Sequence, residues 1–268
     1  MSALSGWIHR YIIKHPAFRE RLTRLIFGTS DQTVELLGSS VLINQLKENG
    51  YLRAARLSES SSLLRDEVPV MLNLLLFAKP GGALIDAGAN IGVYSILFSK
   101  LRHLYPDFTI HAFEVNPHTF ERLHQNALTH SFSAYNVGLS AREESFDFVE
   151  GAVSHVTTRA DNTGPYSIKQ RSFSGRCVPL WSFSFPSDDL ILKIDVEGHE
   201  LDVLRGAEPL FKDRRVACVY VDGYEDPEVV TFLRSHGFQL RDGRTLLPAP
   251  EGCYALLAIR PDVSMPLE

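Results

Sequence analysis

The chain has 268 residues, of which 44% are hydrophobic and 22% charged, so a core of ordinary size can form without disulfide or metal staples. A formal net charge of −5 lacks the basic excess of a general nucleic-acid binder, and no nucleic-acid partner is expected. Cys177, Cys218 and Cys253 are odd in number, widely spaced and outside any CxxC pair, which argues against a disulfide framework or a structural zinc site and points to a cytoplasmic setting.

Residues 1–28 carry five Lys/Arg against one acid, interleaved with Trp7, Ile12, Ile13, Leu22, Leu25, Ile26 and Phe27. The plainer reading is a packing helix kinked near Pro16, and the sharper one is a helix in peripheral contact with a membrane surface. No apolar run is long enough for a membrane span. Residues 1–65 as a whole read as a helical extension or cap, and a second unit over 66–268 has a different rhythm. Its first helix, around Leu72–Phe77, ends at the breaker cluster Lys79-Pro80-Gly81-Gly82.

Strands and helices then alternate. Strands are expected at Ala83–Ala87, Thr109–Glu114, Tyr135–Leu139, Ser145–Val149, Leu190–Asp195, Arg215–Asp222, Phe238–Arg241 and Tyr254–Arg260. Helices are expected at Ile91–Leu101, Pro117–Thr129, Glu200–Phe211 and Pro227–His236. Such alternation predicts a doubly wound, mainly parallel α/β sheet with helices on both faces. Residues 150–176, rich in Ser, Thr and Gly with scattered Arg and Lys, read as a long irregular excursion, either a lid or a surface loop.

The segment from Leu84 to Gly92 is a strand, a glycine turn and a helix start, which places a ligand beyond the carboxyl end of the sheet. Gly88 is expected where backbone approaches that ligand. Glu114 ends the next strand, 22 residues past Gly92, where a carboxylate can accept both hydroxyls of a ribose. The spacing is GxxxG, not GxGxxG, and Asp86 at the strand tip would repel a pyrophosphate. S-adenosylmethionine, with an ammonium and a sulfonium and no phosphate, suits this site better than a dinucleotide.

The pieces Ile85–Gly92, Phe113-Glu114-Val115-Asn116-Pro117, Asn136-Val137-Gly138-Leu139-Ser140 and Lys193-Ile194-Asp195-Val196-Glu197-Gly198-His199-Glu200 occur in the order and spacing of one family. Over about residues 66–260 the chain resembles the FkbM-type S-adenosylmethionine-dependent methyltransferases. The resemblance implies a class I methyltransferase fold, Rossmann-like, with a seven-stranded sheet and one antiparallel strand. It implies O-methylation of a small-molecule or carbohydrate acceptor. Carried over by position, Gly88, Asn90 and Gly92 would line the cofactor loop and Glu114 would hold its ribose. With Asp86 and Asn116, these are the residues expected at the cofactor site.

At the acceptor end, methyl transfer to an alcohol needs alignment and help with the leaving proton. Asp195, Glu197 and His199, just beyond a strand tip, are the candidate catalytic residues. Asp195, Glu197 and Asp222 together could also hold a divalent ion, but their spacing is not a metal motif and no metal ligand is assigned. Two other functions compete: a nicotinamide-dependent oxidoreductase, and a non-catalytic binding module on the same fold.

Overall fold

The computed structural model describes residues 21, 24–26, 28–56, 63–150, 157–160 and 171–263. Its centre is a sheet of seven strands. Taken along the chain these are β3 (Ala83–Ala87), β4 (Thr109–Phe113), β5 (Ser133–Tyr135), β10 (Leu190–Ile194), β11 (Val216–Asp222), β12 (Gln239–Asp242) and β13 (Ala255–Ile259). Their spatial order is β12-β13-β11-β10-β3-β4-β5, and every pairing is parallel except those of β13. This is the doubly wound sheet that the alternation predicts. The chain moves outward from β3 through β4 to β5 and returns at β10, so strand order reverses between β3 and β10, where open α/β sheets bind ligands.

β3, β10 and β13 are buried at every position because helices cover both faces, which explains their near-continuous apolar runs. On one face lie α2 (Val68–Leu75), α3 (Val93–Ser99) and α4 (Pro117–His130), packed in a core with Phe98, Phe108 and Leu123. On the other lie α5 (Glu200–Gly206), α6 (Glu208–Lys212) and α7 (Glu228–Ser235), packed around Leu204, Phe211 and Leu233. The single helix expected over Glu200–Phe211 is therefore two. Pro209 cannot donate within a continuing helix and instead sits in the first turn of α6, after Ala207.

The helical expectation for residues 1–65 holds only in part where the structure describes it. Asp31–Leu36 (β1) and Ser39–Asn44 (β2) form an antiparallel hairpin, and only Asn49–Arg56 (α1) is a longer helix. The hairpin alternates inward and outward residues, with Val41 and Ile43 buried. It docks on α4: Asn126 pairs with both backbone groups of Leu42, and buried Glu48 takes a 2.7 Å hydrogen bond from Arg122. Residues 1–20, the subject of most of the amphipathic reading, lie outside the described residues, and no described helix is long and apolar enough to cross a membrane.

Two further expectations change together. Tyr135–Leu139 is not one strand: β5 stays in the large sheet, while Gly138–Leu139 (β6) joins a second sheet of order β6-β9-β7-β8. The other strands of this small sheet are Glu144–Glu150 (β7), Thr157–Arg159 (β8) and Arg171–Val178 (β9). The supposed irregular excursion over 150–176 is thus largely β where described, and its segments 151–156 and 161–170 lie outside the described residues. In β9, Phe173, Gly175 and Cys177 alternate with Ser172, Ser174 and Arg176, a period of two obscured by Gly175. A side chain there would meet Val115 and Phe148 at 2.5–3.0 Å. All three cysteines are free and buried.

Candidate functional site

A cavity of about 260 Å3 opens at the carboxyl edge of the large sheet, over the β3–β10 reversal. Its floor is the turn after β3. Gly88 and Ala89 both donate backbone hydrogen bonds to Phe113 O, at 3.0 and 2.9 Å, and Asn90 adopts a left-handed φ of 53°. One side is the tip of β4. Glu114 is buried there, with one carboxylate oxygen accepting from Asn90 N at 3.0 Å and the other from Asn116 N at 2.8 Å. Burial nevertheless pushes its carboxyl up to about 7. Asn90 Oδ1 is buried without a hydrogen-bond partner, on a residue that lines the cavity.

Of the six residues expected to hold the cofactor, Gly88, Asn90 and Glu114 line this cavity, whereas Asp86, Gly92 and Asn116 do not. Asp86 is fully buried behind the turn. It accepts from Ser95 Oγ at 2.7 Å and lies 3.2 Å from Lys193 Nζ on the neighbouring strand. Its charge is therefore balanced inside the protein, and the expected attraction to a cationic ligand is replaced by a structural ion pair. Gly92 has φ 86°, and a Cβ on it would come within 2.7 Å of Leu123, so it serves the packing of α3 on α4. Asn116 caps α4, accepting from His118 N at 3.0 Å, and donates to Thr157 at 3.1 Å. Pro117 follows in the first turn, where its missing N–H costs nothing.

Gly88 itself is needed for a reason other than the expected one. A Cβ there would lie 1.8 Å from the carbonyl oxygen of Asp195, so what approaches closely is the chain after β10 and not only a ligand.

The structure brings Asp195, Glu197 and His199 to the same cavity. Glu197 and Gly198 are both left-handed, at φ 50° and 91°, turning the chain sharply after β10. His199 starts α5 with its Nδ1 3.9 Å from Asp202, and its ring stacks with Phe146 of β7 at 6.4 Å. Glu197 is pushed up to about 7 by partial burial and then by neighbouring Asp195 and Glu200. Asp222, at the tip of β11, accepts from Tyr220 at 2.7 Å and also lines the cavity. Among the described residues, no group of three or more His, Cys, Asp or Glu is placed to hold a metal ion.

Several site residues were missed in the sequence. Lys193 donates to Gly88 O at 2.8 Å and faces Asp86 and Asp195 at 3.2 and 3.6 Å, and those carboxylates keep it firmly charged despite its burial. A lysine inside a buried apolar strand was the available signal. Tyr51 and Glu67 reach the cavity from the segment before β3, and Arg159, Phe146 and Phe148 reach it from the small sheet. Glu67 is pushed up to about 7 by burial and then by Asp222 and Asp195. No local pattern marked any of these.

Sheet order, a carboxylate at the tip of β4 and the turn below it define a class I methyltransferase. The family model described as methyltransferase FkbM domain matches residues 86–240, and the chain belongs to that family. It is 31% identical to the hexuronic acid methyltransferase AglP of Haloferax volcanii, covering 64% of this chain and 69% of that one. It is 46% identical to the 31-O-demethyl-FK506 methyltransferase FkbM of Streptomyces tacrolimicus, covering 60% and 74%. A third relative, methyltransferase 1 of Beauveria bassiana, is 28% identical over 66% of this chain and 80% of its own length. The chain is a methyltransferase, and its cofactor is S-adenosylmethionine.

The residues present fit that cofactor. A buried carboxylate with lone pairs to spare and the unpartnered Asn90 oxygen are acceptors for ribose hydroxyls and an amino group. Because a hydroxyl donor favours the ionised carboxylate, S-adenosylhomocysteine affinity should rise as pH increases through about 7 and then level. Glu114→Gln should lose about 10- to 100-fold in affinity at pH 8 and flatten this profile. Calorimetry across pH 5.5–8.5 checks it, and an unchanged profile would separate Glu114 from the ribose.

Proposed function

We propose that this chain transfers the methyl group of S-adenosylmethionine to a hydroxyl oxygen of a sugar or secondary metabolite. One observation carries the reading: the cavity over Gly88, Asn90 and Glu114 continues without interruption to Asp195, Glu197 and His199 at the tip of β10. Glu114 and Asn90 hold the nucleoside end. When bound, the cofactor supplies an electrophilic methyl on sulfonium sulfur. The protein's own work is to align an acceptor hydroxyl with that carbon and to take its proton. Asp195, steadied by Lys193, orients the hydroxyl. His199 and Glu197 are the groups suited to the proton, the latter because its carboxyl is poised near neutrality. The acceptors named for two relatives, hexuronic acid and 31-O-demethyl-FK506, support a hydroxyl-bearing small molecule.

Asp195→Asn and His199→Ala should each lower turnover by about 10²–10⁴-fold while S-adenosylhomocysteine affinity stays within about twofold. The test is methyl transfer to a panel of uronic acids, neutral sugars and hydroxylated metabolites, alongside calorimetry. Full turnover in both variants would move the acceptor site elsewhere. In a thermal-shift screen, S-adenosylhomocysteine should stabilise the protein by mass action and NAD should not.

A further inference from the structure

Methyl transfer as described leaves the far end of the cavity, at β11 and β13, without work. Neighbouring strands lie roughly 4.8 Å apart, so in the order β13-β11-β10-β3-β4 this end stands about 14–19 Å from Glu114. The nucleoside end lies at β4 and the reacting groups at β10, so the body of an acceptor falls on β11 and β13. Asp222 ends β11, Glu67 enters just before α2, and Tyr254 immediately precedes β13, and all three line the cavity.

Tyr254 is held as a platform. Ala255 pairs in register with Asp222, and Tyr254 O accepts a 2.8 Å hydrogen bond from Gly223 N, so the sheet fixes the backbone under the ring. A Cβ on Gly223, which has φ 78°, would come within 2.9 Å of that ring, so the glycine makes room for it to rest against the chain. The rest of the residue is open, 61% exposed at the wall of the cavity. Beside it, one oxygen of Asp222 accepts from Tyr220 at 2.7 Å, which leaves the other for a ligand. Among the described residues, neither the Glu67 carboxylate nor the Tyr254 hydroxyl has a hydrogen-bond or ion-pair partner. Asp222 is the neighbour that, after burial, does most to raise both the Glu67 carboxyl, to about 7, and the Tyr254 phenol, to about 12, so the three groups lie together.

We propose, resting on the hydroxyl-methylation reading above, that Tyr254 is the platform on which the ring of the methyl acceptor stacks, with Asp222 and Glu67 taking two hydroxyls on the edge of that ring. An open aromatic surface beside hydrogen-bond acceptors receives a molecule with an apolar C–H face and a hydroxylated rim. A pyranose has both, whereas an open-chain polyol has no flat face to present. Tyr254 is thus a specificity-determining residue. It selects cyclic acceptors and turns one of their remaining hydroxyls toward the tip of β10.

The test uses the full chain loaded with S-adenosylhomocysteine. Methyl glucoside and glucuronic acid are the ring probes, glucitol is the open-chain probe, and saturation-transfer NMR reads binding. The native protein should bind at least one of the two rings about 10-fold more tightly than glucitol. Tyr254→Ala should lose about 10- to 50-fold in affinity for that ring, while Tyr254→Phe, which keeps the stacking face, stays within about threefold. Glu67→Gln should weaken ring binding by about 3- to 10-fold. All three variants should keep S-adenosylhomocysteine affinity within about twofold, which separates acceptor contacts from a general disturbance of the fold. Native ring binding in Tyr254→Ala, or a loss in Tyr254→Phe equal to that in Tyr254→Ala, would overturn the platform. So would an equal loss of S-adenosylhomocysteine, or a native protein that binds neither ring. Unchanged ring binding in Glu67→Gln would overturn its contact with the rim. Methyl transfer is scored separately: a native protein that methylates no hydroxyl fails the functional reading, and the binding differences still decide the role of Tyr254.

Discussion

Lys193→Met should cost about 3–5 kcal/mol of folding stability, because it leaves the Asp86 carboxylate buried without its cation. Lys193 Nζ stands 3.2 Å from Asp86 and 2.8 Å from Gly88 O, in the middle of the sheet. Methionine fills similar space but donates nothing, and Ser95 alone remains to Asp86. Urea unfolding measures it, and the double variant Lys193→Met/Asp86→Asn should recover part of the loss. Equal stability of Lys193→Met and the native protein at pH 8 would mean that the pair contributes nothing.

Gly88→Val should be the most damaging single change in the site, costing more than about 4 kcal/mol. Two costs coincide. The residue holds φ 70°, which a β-branched side chain rarely adopts. Its Cβ would also lie 1.8 Å from Asp195 O, so the tips of β3 and β10 must part. Little folded protein is expected, and what folds should bind S-adenosylhomocysteine poorly because Asp195 has been displaced. A variant with native thermal stability that lost only cofactor binding would restore a purely ligand-facing role for this glycine.

Much of the fold was legible because apolar strands and amphipathic helices alternate with clear breakers, and each strand of the large sheet lies within a few residues of its expected place. The hairpin before α1 was not legible: β1 exposes its alternate residues and is stabilised by docking on α4, a contact remote in sequence. The small sheet was hidden by Gly175, whose small size is what lets Val115 and Phe148 close over it. In the site, Glu114 was singled out because it is a strand-end acid after a glycine turn, and it does line the cavity. Asp86 was placed at the right position with the wrong role, since only the neighbouring strand reveals Lys193 beside it. Tyr51, Glu67 and Arg159 left no trace, because their roles come from long-range packing and not from any local motif.

The docking of the hairpin and Glu48 against α4 bears on where a domain boundary can be drawn. The family match begins at Asp86, and a boundary at residue 66 looks natural in the sequence. Yet Tyr51, ahead of that boundary, belongs to the cavity wall, and Glu48 and Leu42 are bonded into α4. Cutting there would open one side of the binding chamber while leaving the nucleoside half intact. The cavity is thus walled both by the family segment, which carries Gly88, Asn90, Glu114, Asp195, Glu197 and His199, and by the stretch before it, which adds Tyr51 and Glu67. Exchanging that leading stretch between homologous enzymes would alter one wall of the chamber while every other lining group stays in place.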